Sequence, residues 1–210
     1  MRCQHVETQG FKLLEWPKLR PSPEGLILWH IVNFPDMMEK AKAINAFRDV
    51  FAEWQKAMDA IHPVGRVITY DSTSEFKKAH IRILFVNPGL KYEAIDCEDR
   101  VRRVVNIPSK MDGEGGVLAY VPHGDHTVFF DHGENWGEMG MDKTGTISLF
   151  GVALHEVGHL HDLGHSKVDG AVMQPYYSPH ITELHEDDIL GLSAGFSSMK
   201  ASIKHGSYRV

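Results

Sequence analysis

One stretch of eleven residues, His155-Glu156-Val157-Gly158-His159-Leu160-His161-Asp162-Leu163-Gly164-His165, carries the side chains needed to hold and use a metal ion. His155 and His159 are four apart, a spacing that projects both imidazoles from one face of a helix. His165 comes six residues later, beyond the point where such a helix would stop. Three neutral imidazoles leave the fourth position of a tetrahedral zinc ion open, as in a catalytic rather than a structural site. Glu156 adjoins the first imidazole, where a carboxylate can take a proton from a water that zinc has acidified to a pKa of about 7. The chemistry indicated is metal-assisted hydrolysis with Glu156 as general base. The competing reading is of helix-end histidines bonded to backbone. His161 points away from the ligand face and is not counted with the others.

Those residues must be held by surrounding elements. Apolar positions Ile147, Phe150, Leu154, Val157 and Leu160 recur at helical spacing, which predicts a helix over 146–163 with Gly164 as its C′ residue. Upstream, LILWHIV (Leu26–Val32) reads as a strand, followed by an Asp36/Glu39 capping box and a helix from about Met37 to Ile61. Its apolar stripe is Ile44, Phe47, Phe51, Trp54 and Met58. Further strands are expected at Arg66–Tyr70, His80–Val86, Val117–Val121 and His126–Phe130. A last helix is expected from Glu186 to about Phe196, its opening acids Glu186, Asp187 and Asp188 suited to a helix N-terminus. The segment 87–111 gives no clear element, and the charge run Glu98–Arg103 reads as solvated surface.

Composition bounds the function classes. The chain has 210 residues, 42% hydrophobic and 24% charged, enough for one domain with a full core. The formal net charge of −6 argues against nucleic-acid binding. No apolar run is long enough to insert in a membrane, and two cysteines, Cys3 and Cys97, exclude a disulfide framework. The N-terminus has no apolar signal-peptide core, so the compartment is not fixed by the sequence. The expected organisation is an irregular arm at 1–23, one domain at 24–198 and a flexible tail at 199–210, acting as a monomer.

The third histidine at its set offset, followed by Ala171-Val172-Met173-Gln174-Pro175-Tyr176-Tyr177, resembles the metzincin metallopeptidases and within them the matrixins. LILWHIVNFPD, DGEGGVLAY, FFDHGENW and DDILGL are similar to further matrixin segments, so that about residues 24–196 are covered. The resemblance implies an α+β metzincin fold. Its twisted, mostly parallel sheet has about five strands and an antiparallel edge strand, with a long N-terminal helix, an active-site helix and a C-terminal helix. It implies a zinc endopeptidase acting on protein or peptide substrates, secreted, with one catalytic zinc on His155, His159 and His165. Met173 becomes the Met-turn residue beneath the metal. Asp112, Asp131 and Glu134 match calcium ligands, the alternative being an acidic loop with no ion. Val117, Leu118, Ala119 and Tyr120 on the edge strand, with Pro175 and Tyr177, would line the substrate cleft.

There are departures from the pattern. Asp162 stands where the signature has Gly, and Gly164 where Asp is usual, so Gly164 is expected to carry the bend. The positions of a family structural zinc are Tyr120 and Phe129, so that ion is expected to be absent in its usual form. His123, Asp125, His126 and His132 read as surface groups. Arg2-Cys3 resembles a latency cysteine but lacks the following Gly, and Cys3 reads as an ordinary thiol. The other functional class is a catalytically weak, zinc-binding interaction domain, which Asp162 alone favours. Zinc hydrolysis of a non-peptide substrate would leave the same signature.

Overall fold

A computed structural model of the protein describes residues 25–61, 69–74, 76–87, 91–95, 102–106, 111–122, 126–139 and 145–204. The arm with Cys3, as well as Cys97, His123, Asp125 and the end of the tail, lie outside the described residues.

Strand β1 (Leu26–Ile31) alternates, burying Ile27, Trp29 and Ile31 while Leu28 and His30 stay half-buried. It lies parallel to β2 (Thr69–Ser72) on one side and to β3 (Ile81–Val86) on the other. β4 (Lys91–Ile95) and β5 (Arg102–Asn106) form a separate antiparallel pair, where the sequence suggested no strand. β6 (Ala119–Tyr120) runs antiparallel to β7 (Thr127–Asp131), which is itself parallel to β3. The main sheet is therefore β2-β1-β3-β7-β6, four parallel strands with one antiparallel edge. The mixed α/β architecture and the antiparallel edge agree with expectation. The edge strand is shorter than the expected Val117–Val121, because the Val117 amide donates to Asp112 Oδ1 (3.1 Å) instead of to the ladder. A short parallel pair, β8 (Trp136–Gly137) with β9 (Ile147–Ser148), leads into the site.

Helix α1 (Lys40–Ile61) starts later than expected. Glu39 caps it, its carbonyl taking the Lys42 and Ala43 amides, so the Asp36/Glu39 capping box is not formed. Phe47, Phe51, Trp54 and Met58 face the core as their spacing predicts, whereas Ile44 is only partly buried. Helix α2 (Leu149–Leu160) starts at an N-cap, Ser148, whose Oγ accepts from the Gly151 amide. The expected start at Thr146 is replaced by β9, because the chain pairs with β8 before it turns. Helix α3 (Glu186–Lys204) runs past the expected end near Phe196.

The core lies between the sheet and the two longer-buried helices. Trp29 stacks on Phe51 at 5.2 Å, and Phe47 meets Phe130 edge-on at 5.5 Å, joining α1 to the sheet. Trp54, fully buried, donates from Nε1 to the Leu154 carbonyl at 3.0 Å and so joins α1 to α2 one residue before His155. Trp54→Phe should therefore lose about 1–3 kcal/mol of stability in urea unfolding. An unchanged midpoint would show that this bond does not tie the helices together.

Candidate metal centre

Helix α2 presents His155 and His159 from one face, and both are buried (6% and 0% exposed). The His165 ring lies 5.3 Å from that of His155 and 5.1 Å from that of His159. The three side chains offer ligand atoms all within 4.8 Å of one another, the single such group of histidine, cysteine or acidic residues among the described residues.

Protons decide what these rings can do. His155 Nδ1 is 2.7 Å from the Val172 carbonyl, and His159 Nδ1 is 2.7 Å from the Leu163 carbonyl. A carbonyl only accepts, so each Nδ1 carries a hydrogen, and a ring that is neutral then keeps its lone pair on Nε2. Those two Nε2 atoms face each other at 3.1 Å. Two neutral rings set this way turn their lone pairs on each other, an arrangement relieved by a shared proton or by a metal ion held between them. Bonds of about 2.0–2.1 Å in a tetrahedron put neighbouring nitrogens about 3.3 Å apart, so the donor set fits zinc. The same carbonyl bonds that fix the tautomers also fix ring orientation.

The turn after α2 corrects one expectation. The Asp162 amide donates to the His159 carbonyl and the Leu163 amide to that of Gly158, the paired bonds of a Schellman motif. Its left-handed residue is Asp162 (φ 64°), not Gly164. A left-handed conformation costs an ordinary residue about 1–2 kcal/mol and Asp somewhat less. The register of the motif puts the positive φ two residues beyond the helix end, and Asp162 occupies that place. His161, at the C-cap, packs its ring on Trp54 and shares a 2.9 Å hydrogen bond with the Tyr70 hydroxyl, away from the three ligands. Burial pushes the His161 imidazole down to about 4, leaving it neutral, and pushes the Tyr70 hydroxyl up.

Met173 is buried beneath the helix. A Cβ on Gly158 would collide with Met173 Sδ and lie 3.0 Å from Trp54 Cζ2, so this helical glycine is what lets both side chains approach. The turn carrying Met173 is held from α3. Asp188, 1% exposed, accepts the amides of Val172 (2.9 Å), Met173 (3.1 Å) and His185 (2.9 Å). Burial pushes its carboxyl up against the opposing pull of those amides. Ser166 Oγ donates to Asp187 at 2.6 Å. The sequence reading assigned these acids only to the helix dipole. Asp188 lies three residues after the cap residue His185 and takes its amide, which is the return arm of a capping box and was the available signal.

Glu156 is 1% exposed, and its charge adds to burial in pushing the Tyr120 hydroxyl up. Tyr120 and Phe129 are register partners across β6 and β7. Of the expected cleft residues, Leu118 and Tyr177 line a pocket of about 390 Å³, partly open to solvent, with Gly151, Val152, His155 and Ile181. Tyr177 also accepts the Ser148 amide at the N-cap of α2 (2.9 Å). Ala119 is fully buried in the main core, Val117 packs in a second apolar cluster, and Pro175 lies in the turn after Met173 outside that pocket's lining.

Asp112, Asp131 and Glu134 converge on the glycine loop at 112–116. Asp131 Oδ2 takes the Gly113 amide (2.9 Å), Oδ1 the Gly133 amide (2.8 Å), and Glu134 Oε1 the Gly115 amide (2.8 Å). His132 Nε2 is 3.8 Å from the exposed Asp36, a surface contact.

A mostly parallel sheet with one antiparallel edge, backed by a helix that offers two histidines to a third beyond its end, is a scaffold suited to a zinc hydrolase. The chain belongs to the matrixin family, a family of zinc metalloproteases, whose model matches residues 22–196. It is 29% identical to matrix metalloproteinase-19 of Homo sapiens over 97% of this chain and 35% of that protein. It is 43% identical to the hatching enzyme of Paracentrotus lividus over 44% of this chain and 16% of that protein. Metalloendoproteinase 1 of Glycine max is 29% identical over 70% of this chain and 43% of its own length. The chain thus spans less than half the length of these relatives.

The carboxylate cluster yields a pH prediction. Burial first, then Asp131, Asp112 and Glu114, push Glu134 up from 4.5 to about 6, against the Gly115 amide. A raised folded-state value means a contribution present below about 4.5 and lost as pH rises through 6. In chelator, Glu134→Gln should flatten that part of the stability profile. Parallel curves for the two proteins between pH 4 and 7 would contradict it.

Proposed function

We propose that this chain is a zinc-dependent endopeptidase whose metal ligands are His155, His159 and His165 and whose general base is Glu156. The observation that carries the proposal is the cluster of three imidazoles, two with Nδ1 tied to backbone carbonyls and Nε2 turned inward, with a buried carboxylate next in sequence. A bound zinc ion would supply Lewis acidity, acidifying a water and polarising the substrate carbonyl. Glu156 takes the proton from the water onto a carboxylate oxygen and passes it to the leaving amine. An extended substrate pairs along β6, the antiparallel strand at the end of the main sheet, and a side chain enters the pocket lined by Leu118, Val152, Tyr177 and Ile181. The proposal extends to extracellular protein substrates, in keeping with the family. Among the described residues no helix is long and apolar enough to cross a membrane. Asp162 had favoured a non-catalytic reading; at φ 64° it completes the turn that delivers His165, so it no longer argues for lost chemistry.

A calcium ion at Asp112, Asp131 and Glu134 belongs to the same proposal, supported by the convergence of three carboxylates on one glycine-rich loop. Added calcium should raise the thermal midpoint more at pH 7.5 than at pH 5, where Glu134 is protonated. An equal shift at both, or none, would remove it.

Glu156→Ala should keep one zinc per chain and lose 10²-fold or more in peptide cleavage, the scale of general-base catalysis. A variant that cleaves at the parent rate, or a parent indifferent to chelators, would overturn the mechanism. Gly151 fixes the size of the pocket: a Cβ there would be only in ordinary contact with Tyr177 and the Ile181 carbonyl. Gly151→Leu should therefore depress cleavage of substrates with long side chains at that subsite, with shorter ones largely spared. An unaltered peptide-library profile would place the specificity elsewhere.

A further inference from the structure

Three observations meet at the end of α2. The turn from His161 to Leu163 holds a non-glycine residue, Asp162, at φ 64°. The Leu163 carbonyl in that turn takes the His159 Nδ1 hydrogen, and two residues later His165 must arrive beside the other ligands. The first residue of the turn, His161, is gripped from outside the helix. Its ring lies 5.0 Å from Trp54 of α1, and its Nε2 is bonded at 2.9 Å to the hydroxyl of Tyr70 on β2, ninety-one residues away in sequence. Tyr70 is itself packed on Phe51 at 5.0 Å.

We propose that Tyr70 and His161 are positioning residues that clamp the 161–163 turn, so that Leu163 orients His159 and His165 reaches the metal although the left-handed position is not glycine. A glycine at 162 would adopt this φ freely and need no clamp. An aspartate also samples other conformations, each of which withdraws the Leu163 carbonyl from His159 and swings His165 away. The bond to Tyr70 anchors the C-cap ring from the sheet, and Trp54 backs it from α1, so the turn is fixed at the end nearest the helix. The clamp touches no substrate and acts only through the geometry of two ligands. The inference rests on the three-histidine metal site of the preceding section.

The test separates the clamp from that reading. Tyr70→Phe removes the hydroxyl and little else, and Asp162→Gly removes the need for it. In zinc-free protein, exchange of the Asp162 and Leu163 amides should quicken about tenfold in Tyr70→Phe relative to the amides of α1, and should return to the parent rate in the double variant. The zinc Kd, measured by competition with a chromophoric chelator, should rise by a similar factor in Tyr70→Phe and recover in the double variant. The visible spectrum of the cobalt-substituted protein should shift and return in parallel. His161→Phe, which keeps a ring against Trp54 but not the bond, should behave as Tyr70→Phe does. Unchanged local exchange in Tyr70→Phe, or an Asp162→Gly effect that is the same with and without Tyr70, overturns the clamp. A parent protein that binds no zinc overturns the metal site instead, and the exchange measurements still decide the clamp.

Discussion

Two hydrogen bonds from imidazole to backbone govern the rest of this structure. His155 and His159 each give their Nδ1 hydrogen to a carbonyl downstream of the helix, at Val172 and at Leu163. The ligand state of the helix is therefore decided by how the next dozen residues fold. A displaced carbonyl would free the ring to rotate or to exchange tautomer, and the outward lone pair would be lost. The Schellman turn, the position of Met173 and the docking of α3 are all ways of keeping those two carbonyls still. Asp188 takes the amides of Val172 and Met173, so the acceptor for His155 is held by a carboxylate from the last helix.

The histidine cluster was legible because its signal is local. Helical spacing puts His155 and His159 on one face whatever surrounds them, and the Glu next to them needs no tertiary information to be noticed. Strands β1, β3 and β7 were legible from unbroken apolar composition and bounding turn residues. What failed was set by competition between partners. The capping box at Asp36 was not formed because Glu39 supplies the cap carbonyl. The edge strand shrank because Asp112 captured an amide the ladder would have used. Gly164 was expected to bend the chain because glycine is the cheapest residue there, whereas the motif's register fell on Asp162. Each is a choice among nearby partners, and composition and spacing do not rank those partners.

Packing around the helix shows the same dependence at close range. Gly158 lies between His155 and His159, and its missing Cβ is the space that Met173 and Trp54 use. The helix gives up propensity at that position, and in return its ligand-bearing turn rests on a buried thioether and an indole. The indole is tied to Leu154 by its N–H, so α1 reaches the ligands both by contact and by hydrogen bond. Helix α2 is short, and its rigidity comes from neighbours rather than from its own length.

The hold that Asp188 exerts has a consequence for the order of events during synthesis. The residues that would bind the metal end at 165, yet the carboxylate that steadies the carbonyl behind His155 lies at 188, at the start of the final helix. A nascent chain that has released all three histidines but not α3 has the ligands without their support. The hold on the carbonyl behind His155 is therefore complete only once α3 has docked, so a chain stopped short of Asp188 would present three histidines on an unsteadied turn.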